Sequence, residues 1–598
     1  MKNIKKPSVL ILALFIVTFV FSEPTKHALI IAVGNYPAEG GWSQISSAND
    51  VALINDVLLK QGFDSKNIKV IGDSQAKKEN IVDELTRLSE KIRKGDIVVL
   101  HFSGHGQQIM DNNNDELDGY DESIIPYDAN VYFSKNYHGE NHLRDDELTV
   151  LLNGIREKLG TEGNILVILD SCHSGTATRG LAKSRGTDVK FEEPGYSPAE
   201  DEDKDNFAEI ESSDGQENLA PMVLISGASQ EELNYEYIDR NSEISYGSLS
   251  YSFSKALSEA TPETTYRALF DKIKVEMNMI APRQSPQIEG DIDMKLFGGG
   301  AVDQKPYFMV DEWLDDKTVT INAGNLMGLF DGSVVEFYDI NTTNPADADA
   351  WATGTILNSS AVNSDIILDN PLSELKARDS WIFVTEQNFG QLKVKVKIAN
   401  LKNITLEQQI TKECEHLPSI ELVNKDPELI IETLDKNKTI RVITADELEI
   451  FSKNIATEEP GAITNELVQS LKNYGQANLI KKIELVDPDL NVFFEILPIT
   501  VKRSGSRWIE DQRLDIETKT TNGNLEFKDG DCFKIKVKNN GYAVAYYQIL
   551  DIQPNNNINI LVPNENRTAS EYIIYMEKKK ELGEIFVFGE PMVMKYSN

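Results

Sequence analysis

Ile97-Val98-Val99-Leu100-His101-Phe102-Ser103-Gly104-His105-Gly106 and Ile165-Leu166-Val167-Ile168-Leu169-Asp170-Ser171-Cys172-His173-Ser174-Gly175 follow one plan. Each opens with an unbroken apolar run and breaks into a short polar segment containing glycine. An apolar run of this length, without alternation, is expected of a parallel strand buried on both faces. Both polar segments then fall where such strands end, which in open α/β sheets is where ligands bind and chemistry is done. The second segment carries a cysteine and the first a histidine, so Cys172 is the candidate nucleophile and His105 its base.

The sequence around these stretches alternates strands and helices. A β-rich run from His27 to Gly34 precedes an amphipathic helix over Ser47 to Gln61, with Val51, Ile54, Val57 and Leu58 on one face. A strand at Ile68 to Ile71 and a helix through Ile81, Leu85, Leu88 and Ile92 come next, then strand, motif and loop from 97 to 128. A helix from about Asp145 to Leu159 leads into the strand before Cys172. Further on come a strand at Met222 to Ser226, a helix opening at Tyr246-Gly247-Ser248, and another from about Thr264 to Ile280. This order predicts an α/β unit, a mostly parallel sheet flanked by helices, over residues 24 to 300. Between Thr187 and Ala220 the pattern stops: 12 acids stand against two lysines, and the stretch reads as a solvated, flexible loop.

Gly298-Gly299-Gly300 reads as a hinge between this unit and the C-terminal half of the chain. Short alternating strands with Gly, Asn and Asp turns then suggest a β-rich module over 305 to 400, a mixed α/β segment over 401 to 490, and a final β-rich domain over 491 to 598. The chain has 598 residues and a formal net charge of −36, from 60 basic and 96 acidic side chains. That balance argues against nucleic acid as the main partner and favours cationic substrates. Lys2, Lys5 and Lys6 precede an apolar run from Val9 to Phe21, too short for the ~20 residues that span a bilayer, so residues 1 to 22 read as a signal peptide of an exported protein. No integral membrane span is expected once it is removed. Only Cys172, Cys414 and Cys532 are present, too few for a disulfide framework, and Cys172 is the odd thiol.

A thiol becomes a strong nucleophile when a neighbouring imidazole takes its proton. Gly104 and Gly106 allow a tight turn, and the Gly106 and Cys172 amides are candidates for an oxyanion hole. A zinc site built on His101 and His105 fails on geometry, because four residues of strand span about 13 Å. Adjacent strand residues face opposite ways, so His173 is read as structural. Asp111, Asn113, Asp115 and Glu122 mimic positions of an EF-hand loop, yet Glu116 stands where the sharp turn needs glycine.

Ser-Gly-His-Gly after one strand and Asp-Ser-Cys-His-Ser-Gly after the next resemble the caspase-like cysteine peptidases, most closely the metacaspases. The resemblance covers roughly residues 24 to 298 and includes Gly34-Asn35-Tyr36, Asn49-Asp50 and Gln284-Ser285-Pro286-Gln287. It implies a Cys172/His105 dyad and cleavage after Arg or Lys, with Asp50 and Asp170 lining the pocket for the basic residue and Ser103 beside them. A carboxylate pair suits a guanidinium, with which it forms charge-assisted hydrogen bonds. The resemblance also points to calcium at Asp121, Asp145 and Asp146, although Arg179 stands where a fourth acidic ligand belongs; no cofactor is otherwise required. Arg179, Lys183 and Arg185, between the nucleophile and the acidic loop, are candidate sites of self-processing, since the enzyme's own pocket would accept them. The last module resembles a β-rich domain often appended to bacterial caspase-like proteins, and its partner is not indicated. The rival expectation is a catalytically silent scaffold of the cell envelope that binds through its acidic surface.

Overall fold

The computed structural model describes residues 24–113, 119–172, 184–197, 218–229, 232–389, 393–399, 401–434, 438–455, 459–482, 490–504, 507–521, 524–553, 556–562, 573–574, 578–582 and 586–587. The expected signal segment lies outside them. The chain divides into two compact units, with the division between Asp303 and Gln304.

The first unit is built on a six-stranded sheet. Its strands are β1 (Lys26–Ala32), β2 (Ile68–Gly72), β3 (Ile97–Ser103), β7 (Asn164–Asp170), β8 (Met222–Ser226) and β11 (Gln287–Gly290), in the order β11-β8-β7-β3-β1-β2. All pair in parallel except the edge strand β11. Every residue of β3 and β7 is buried, which explains their unalternating apolar sequence. One face packs Leu29, Ile31, Val98, Leu100 and Val167 against α2 (Lys78–Lys91) and α3 (Asp145–Leu159). The other packs Ala28, Ile30, Val99, Leu166 and Ile168 against α1 (Ser47–Lys60), α4 (Ser248–Ser258) and α5 (Tyr266–Ile280). Each large aliphatic side chain so removed from water contributes roughly 1.5–3 kcal/mol. Pairing of β3 with β7 sets Ser103 opposite Asp170, so the histidine and cysteine motifs leave the sheet side by side.

Two features depart from expectation. The stretch read as loop up to residue 128 contains β4 (Gly106–Met110) and β5 (Tyr120–Ile124), which form a small antiparallel sheet with β6 (Leu143–Arg144) further on. The acidic stretch read as flexible from Thr187 onward is docked as far as residue 197, with Phe191 fully buried; residues 198–217 lie outside the described ones. A two-stranded ribbon, β9 (Glu236–Ile238) with β10 (Ser245–Gly247), completes the unit.

The second unit holds a six-stranded antiparallel sheet spanning 312–386. Next comes a mixed five-stranded sheet spanning 394–454 with helices Ile404–Glu415 and Pro460–Lys482. A β-rich region built on strands Val492–Ser504 and Cys532–Asn539 completes the chain. Strand Val394–Ile398 belongs to the mixed sheet, so the boundary expected at 400 falls about ten residues earlier. Cys414 and Cys532 are buried free thiols. Among the described residues, no helix is long and apolar enough to cross a membrane.

Candidate active site

His105 stands two residues beyond the end of β3 and immediately before β4. Its Nε2 lies 2.9 Å from the carbonyl oxygen of Ser43. A carbonyl only accepts, so Nε2 carries the proton and Nδ1 holds the lone pair. That Nδ1 is buried and has no hydrogen-bond partner. Trp42 stacks on the ring at 4.9 Å between centroids, and the Tyr36 hydroxyl accepts from the His105 amide at 3.0 Å while donating to Ile125 O at 2.9 Å. Burial pushes the His105 pKa down to about 4, so the ring is neutral near pH 7. Cys172 is buried as well, and its Sγ donates to the carbonyl of Glu232 at 2.7 Å.

The pocket beside this pair is filled by the chain itself. Arg185 is completely buried. Its Nη1 lies 2.8 Å from Asp50 Oδ2, donates to Ser103 Oγ at 2.6 Å and stands 3.5 Å from Asp170; Nη2 stands 3.5 Å from Glu236. The Arg185 carbonyl accepts from the Cys172 amide at 3.0 Å and from the Gly106 amide at 3.3 Å. The two amides read from sequence as an oxyanion hole thus converge on one carbonyl oxygen, that of the Arg185–Gly186 bond. Gly186 packs onto Cys172: a Cβ there would stand 2.5 Å from Cys172 O and 2.8 Å from Cys172 Cβ, so this position has room only for glycine.

The expected pocket residues play unequal parts. Asp50, in the first turn of α1, makes the close ion pair through Oδ2, to which Ser103 Oγ also donates at 2.7 Å, while its Oδ1 accepts from Gly247 N at 3.0 Å. Asp170 is committed to the scaffold, accepting from Ser250 N at 2.8 Å, Ser250 Oγ at 2.5 Å and Asn234 Nδ2 at 2.7 Å. It acts on the guanidinium as a nearby charge rather than as a direct clamp. Burial raises Asp50 to about 6, against the attraction of Arg185 and helped by the repulsion of Asp170. Three residues escaped the sequence reading: Glu236, on β9 and also bonded to Ser46 and Ser245; Ser43, which acts through its backbone; and Gly247. A Cβ at Gly247 would come within 2.0 Å of Asp170 Oδ2 and 2.5 Å of Arg185 Nη1, so glycine there keeps the pocket open.

Of the other candidates, His101 is structural, its Nε2 2.9 Å from Ser250 Oγ. His173, Arg179 and Lys183 lie outside the described residues, as do Asp115 and Glu116. Asp121 is ion-paired to Arg144, whose Nη1 also donates to Met110 O at 2.7 Å, while Asp121 Oδ1 has no hydrogen-bond partner. Burial, with repulsion from Asp145 and Asp111, lifts Asp121 to about 7. Asp145 and Asp146 stand in the first turn of α3, where acids favourably meet the helix dipole, and Asp146 accepts from Asn113 at 2.8 Å. The carboxylate oxygens of Asp121 and Asp145 have the donor chemistry of a hard cation, but the Arg144 guanidinium already supplies positive charge there. Among the described residues, no three His, Cys, Asp or Glu side chains converge as metal ligands.

A family model described as the caspase domain matches residues 25–297. Metacaspase-1 of Mycosarcoma maydis is 32% identical over 158 residues, 25% of this chain and 36% of that protein. Metacaspase-4 of Arabidopsis thaliana is 31% identical over 188 residues, 30% of this chain and 39% of that protein. The chain therefore spans little more than a third of the length of either relative. Caspase-1 from Spodoptera frugiperda superposes on 45% of this chain and 88% of its own, with a TM-score of 0.29 and 12% identity.

Proposed function

We propose that the caspase domain of residues 25–297 is a cysteine endopeptidase that hydrolyses peptide bonds after Arg, and after Lys less well, and that it cuts its own chain between Arg185 and Gly186. The observation that carries this reading is the Arg185 carbonyl on the Gly106 and Cys172 amides while its guanidinium fills the acidic pocket. A scaffold without turnover has no need of that pairing.

In this mechanism His105 Nδ1 takes the thiol proton and Cys172 Sγ attacks the carbonyl carbon. The two amides hold the oxyanion, and the imidazolium returns its proton to the departing nitrogen as the C–N bond breaks. Water then hydrolyses the thioester. The Ser43 carbonyl is the orienting third group that keeps the Nδ1 lone pair available. Arg is favoured over Lys because a guanidinium meets Asp50 and Ser103 while a second nitrogen faces Glu236, whereas an ammonium is a single point of charge. The first 22 residues support export, and protein or peptide substrates with basic residues suit the acidic pocket. Fluorogenic peptides ending in Arg, Lys or Asp test the assignment: turnover in the order Arg, Lys and no Asp is expected. Cleavage after Asp, or none of the three cut by protein already nicked at Arg185, overturns it.

The pocket carries its own pH dependence. Asp50 pairs with a guanidinium only when ionised, and its pKa stands at about 6, above the ordinary 3.8. That value holds with the Arg185 guanidinium in the pocket, and without it the carboxyl stands higher still, so the KM for an Arg peptide is expected to rise as pH falls toward 6 and to level off below it. A KM that stays constant down to pH 5 would remove Asp50 from the pocket. Calcium is not required by the mechanism; where it binds, Asp121 and Asp145 would hold it against Arg144. Activity on the Arg peptide is expected to survive a chelator, and its loss on chelation with recovery on calcium would contradict that.

A further inference from the structure

The chain leaving Gly186 does not turn into solvent. It runs parallel to β4, whose first residue supplies an oxyanion donor, with bridges pairing Gly106 to Gly186 and Ile109 to Phe191. Phe191 N donates to Gln108 O at 2.8 Å, Met110 N donates to Phe191 O at 3.0 Å, and Gln107 Nε2 donates to Val189 O at 2.7 Å. Phe191 is the sixth residue beyond the Arg185–Gly186 bond, and it is fully buried. Its ring lies 4.6 Å from that of His142, 5.6 Å edge-on from Tyr137 and 6.0 Å from Phe133, with Ile109 in the same cluster. The walls of this pocket come from β4 and the segment leading to β6, and the docked segment contributes only the occupant.

We infer that the pocket formed by Ile109, Phe133, Tyr137 and His142 is a substrate subsite for an aromatic side chain six residues beyond the cleaved bond, on the leaving-group side. This rests on the peptidase reading given above. The edge of β4 away from β5 recognises an extended peptide through its main chain, and a pocket for one side chain then sets the choice among peptides. The enzyme's own 186–191 segment shows the register: with Arg in the acidic pocket and its carbonyl on the two amides, the sixth following side chain reaches the ring cluster. Substrates with basic residues followed at that distance by Phe or Tyr compete best with the internal segment.

The test uses the full chain carrying Arg185→Ala and Phe191→Ala, which removes both internal anchors. A quenched fluorescent peptide with the sequence of residues 182–193 is compared with the same peptide bearing Ala in place of its Phe, and cleavage is located by mass. The Phe peptide is expected to show a KM about tenfold lower at similar kcat, the scale set by burying an aromatic side chain. Phe133→Asp, a half-buried wall position, added to that chain is expected to erase the difference. Equal KM values, or a difference that survives Phe133→Asp, overturn the subsite. Binding of the two peptides to the same enzyme with Cys172→Ala, read by fluorescence anisotropy, separates the two claims. Tighter binding of the Phe peptide supports the subsite even if no turnover occurs, and equal binding sinks it even if the peptidase reading stands.

Discussion

Cys172→Ala is expected to abolish turnover of Arg peptides, a loss of roughly 10⁶-fold on the scale seen when a catalytic nucleophile is removed. In the background of Arg185→Ala and Phe191→Ala, which empties the pocket, the loss should appear in kcat with peptide binding retained, because the proposed role of the thiol is attack on the carbonyl carbon and not contact with the basic residue. His105→Ala is expected to fall by a comparable factor, and combining the two should cost no more than either alone, since base and nucleophile act as one unit. Steady-state kinetics on the two single variants and the double variant check this. Additive losses would mean that the imidazole serves some purpose other than activating the thiol.

The second large effect falls on Asp50. Asp50→Asn keeps the shape of the side chain and, through its one oxygen, the bond from Gly247 N, but it puts an amide nitrogen where Oδ2 accepts from Ser103 and removes the charge closest to Arg185. Breaking a buried charge pair by removing one partner costs about 3–5 kcal/mol, because the other charge stays buried. Asp170 and Glu236 remain near the guanidinium, so the lower end of that range is expected here. One substitution therefore has two measurable effects. In the Cys172→Ala background, which stops self-cleavage, thermal denaturation should shift down by several degrees. In the active enzyme, kcat/KM for an Arg peptide should fall by about 10²-fold, since 1.4 kcal/mol corresponds to a factor of ten. A neutral substrate cut poorly by the wild type should lose far less. Equal losses on both substrates would place Asp50 in the scaffold rather than in the pocket.

The legible part of the fold came from periodicity and burial. β3 and β7 are buried on both faces, so their apolar runs announced a parallel sheet, and the motifs at their ends marked Cys172 and His105 as the candidate nucleophile and base. α1, α2 and α3 were legible because each turns one apolar stripe toward the sheet. β4 and β5 were not, since Gln107, Gln108, Asp121 and Glu122 give short polar strands that look like loop. The docking of 187–197 was hidden for a related reason: the charge of the whole acidic stretch masked Val189 and Phe191, which a local reading would have separated from the acids after them. Glu236 is one acid among 96 and carries no local signature. Ser43 contributes a backbone carbonyl, which no side chain announces. Gly247 was visible as the opening of a helix, yet its function is the absence of a Cβ beside Arg185, a fact of tertiary packing alone. Asp50 and Asp170, expected side by side, both lie near the Arg185 guanidinium, but Ser250 and Asn234 hold the Asp170 oxygens.

The most direct test is to determine the new N-terminus formed when purified protein is incubated at neutral pH. Intact-mass and terminal analysis of the wild type should reveal a fragment beginning at Gly186, absent from Cys172→Ala and from Arg185→Gln. An enzyme that hydrolyses Arg peptides while its Arg185–Gly186 bond stays whole, or a nick there that persists in Cys172→Ala, would contradict the claim that this bond lies in the catalytic centre as a substrate.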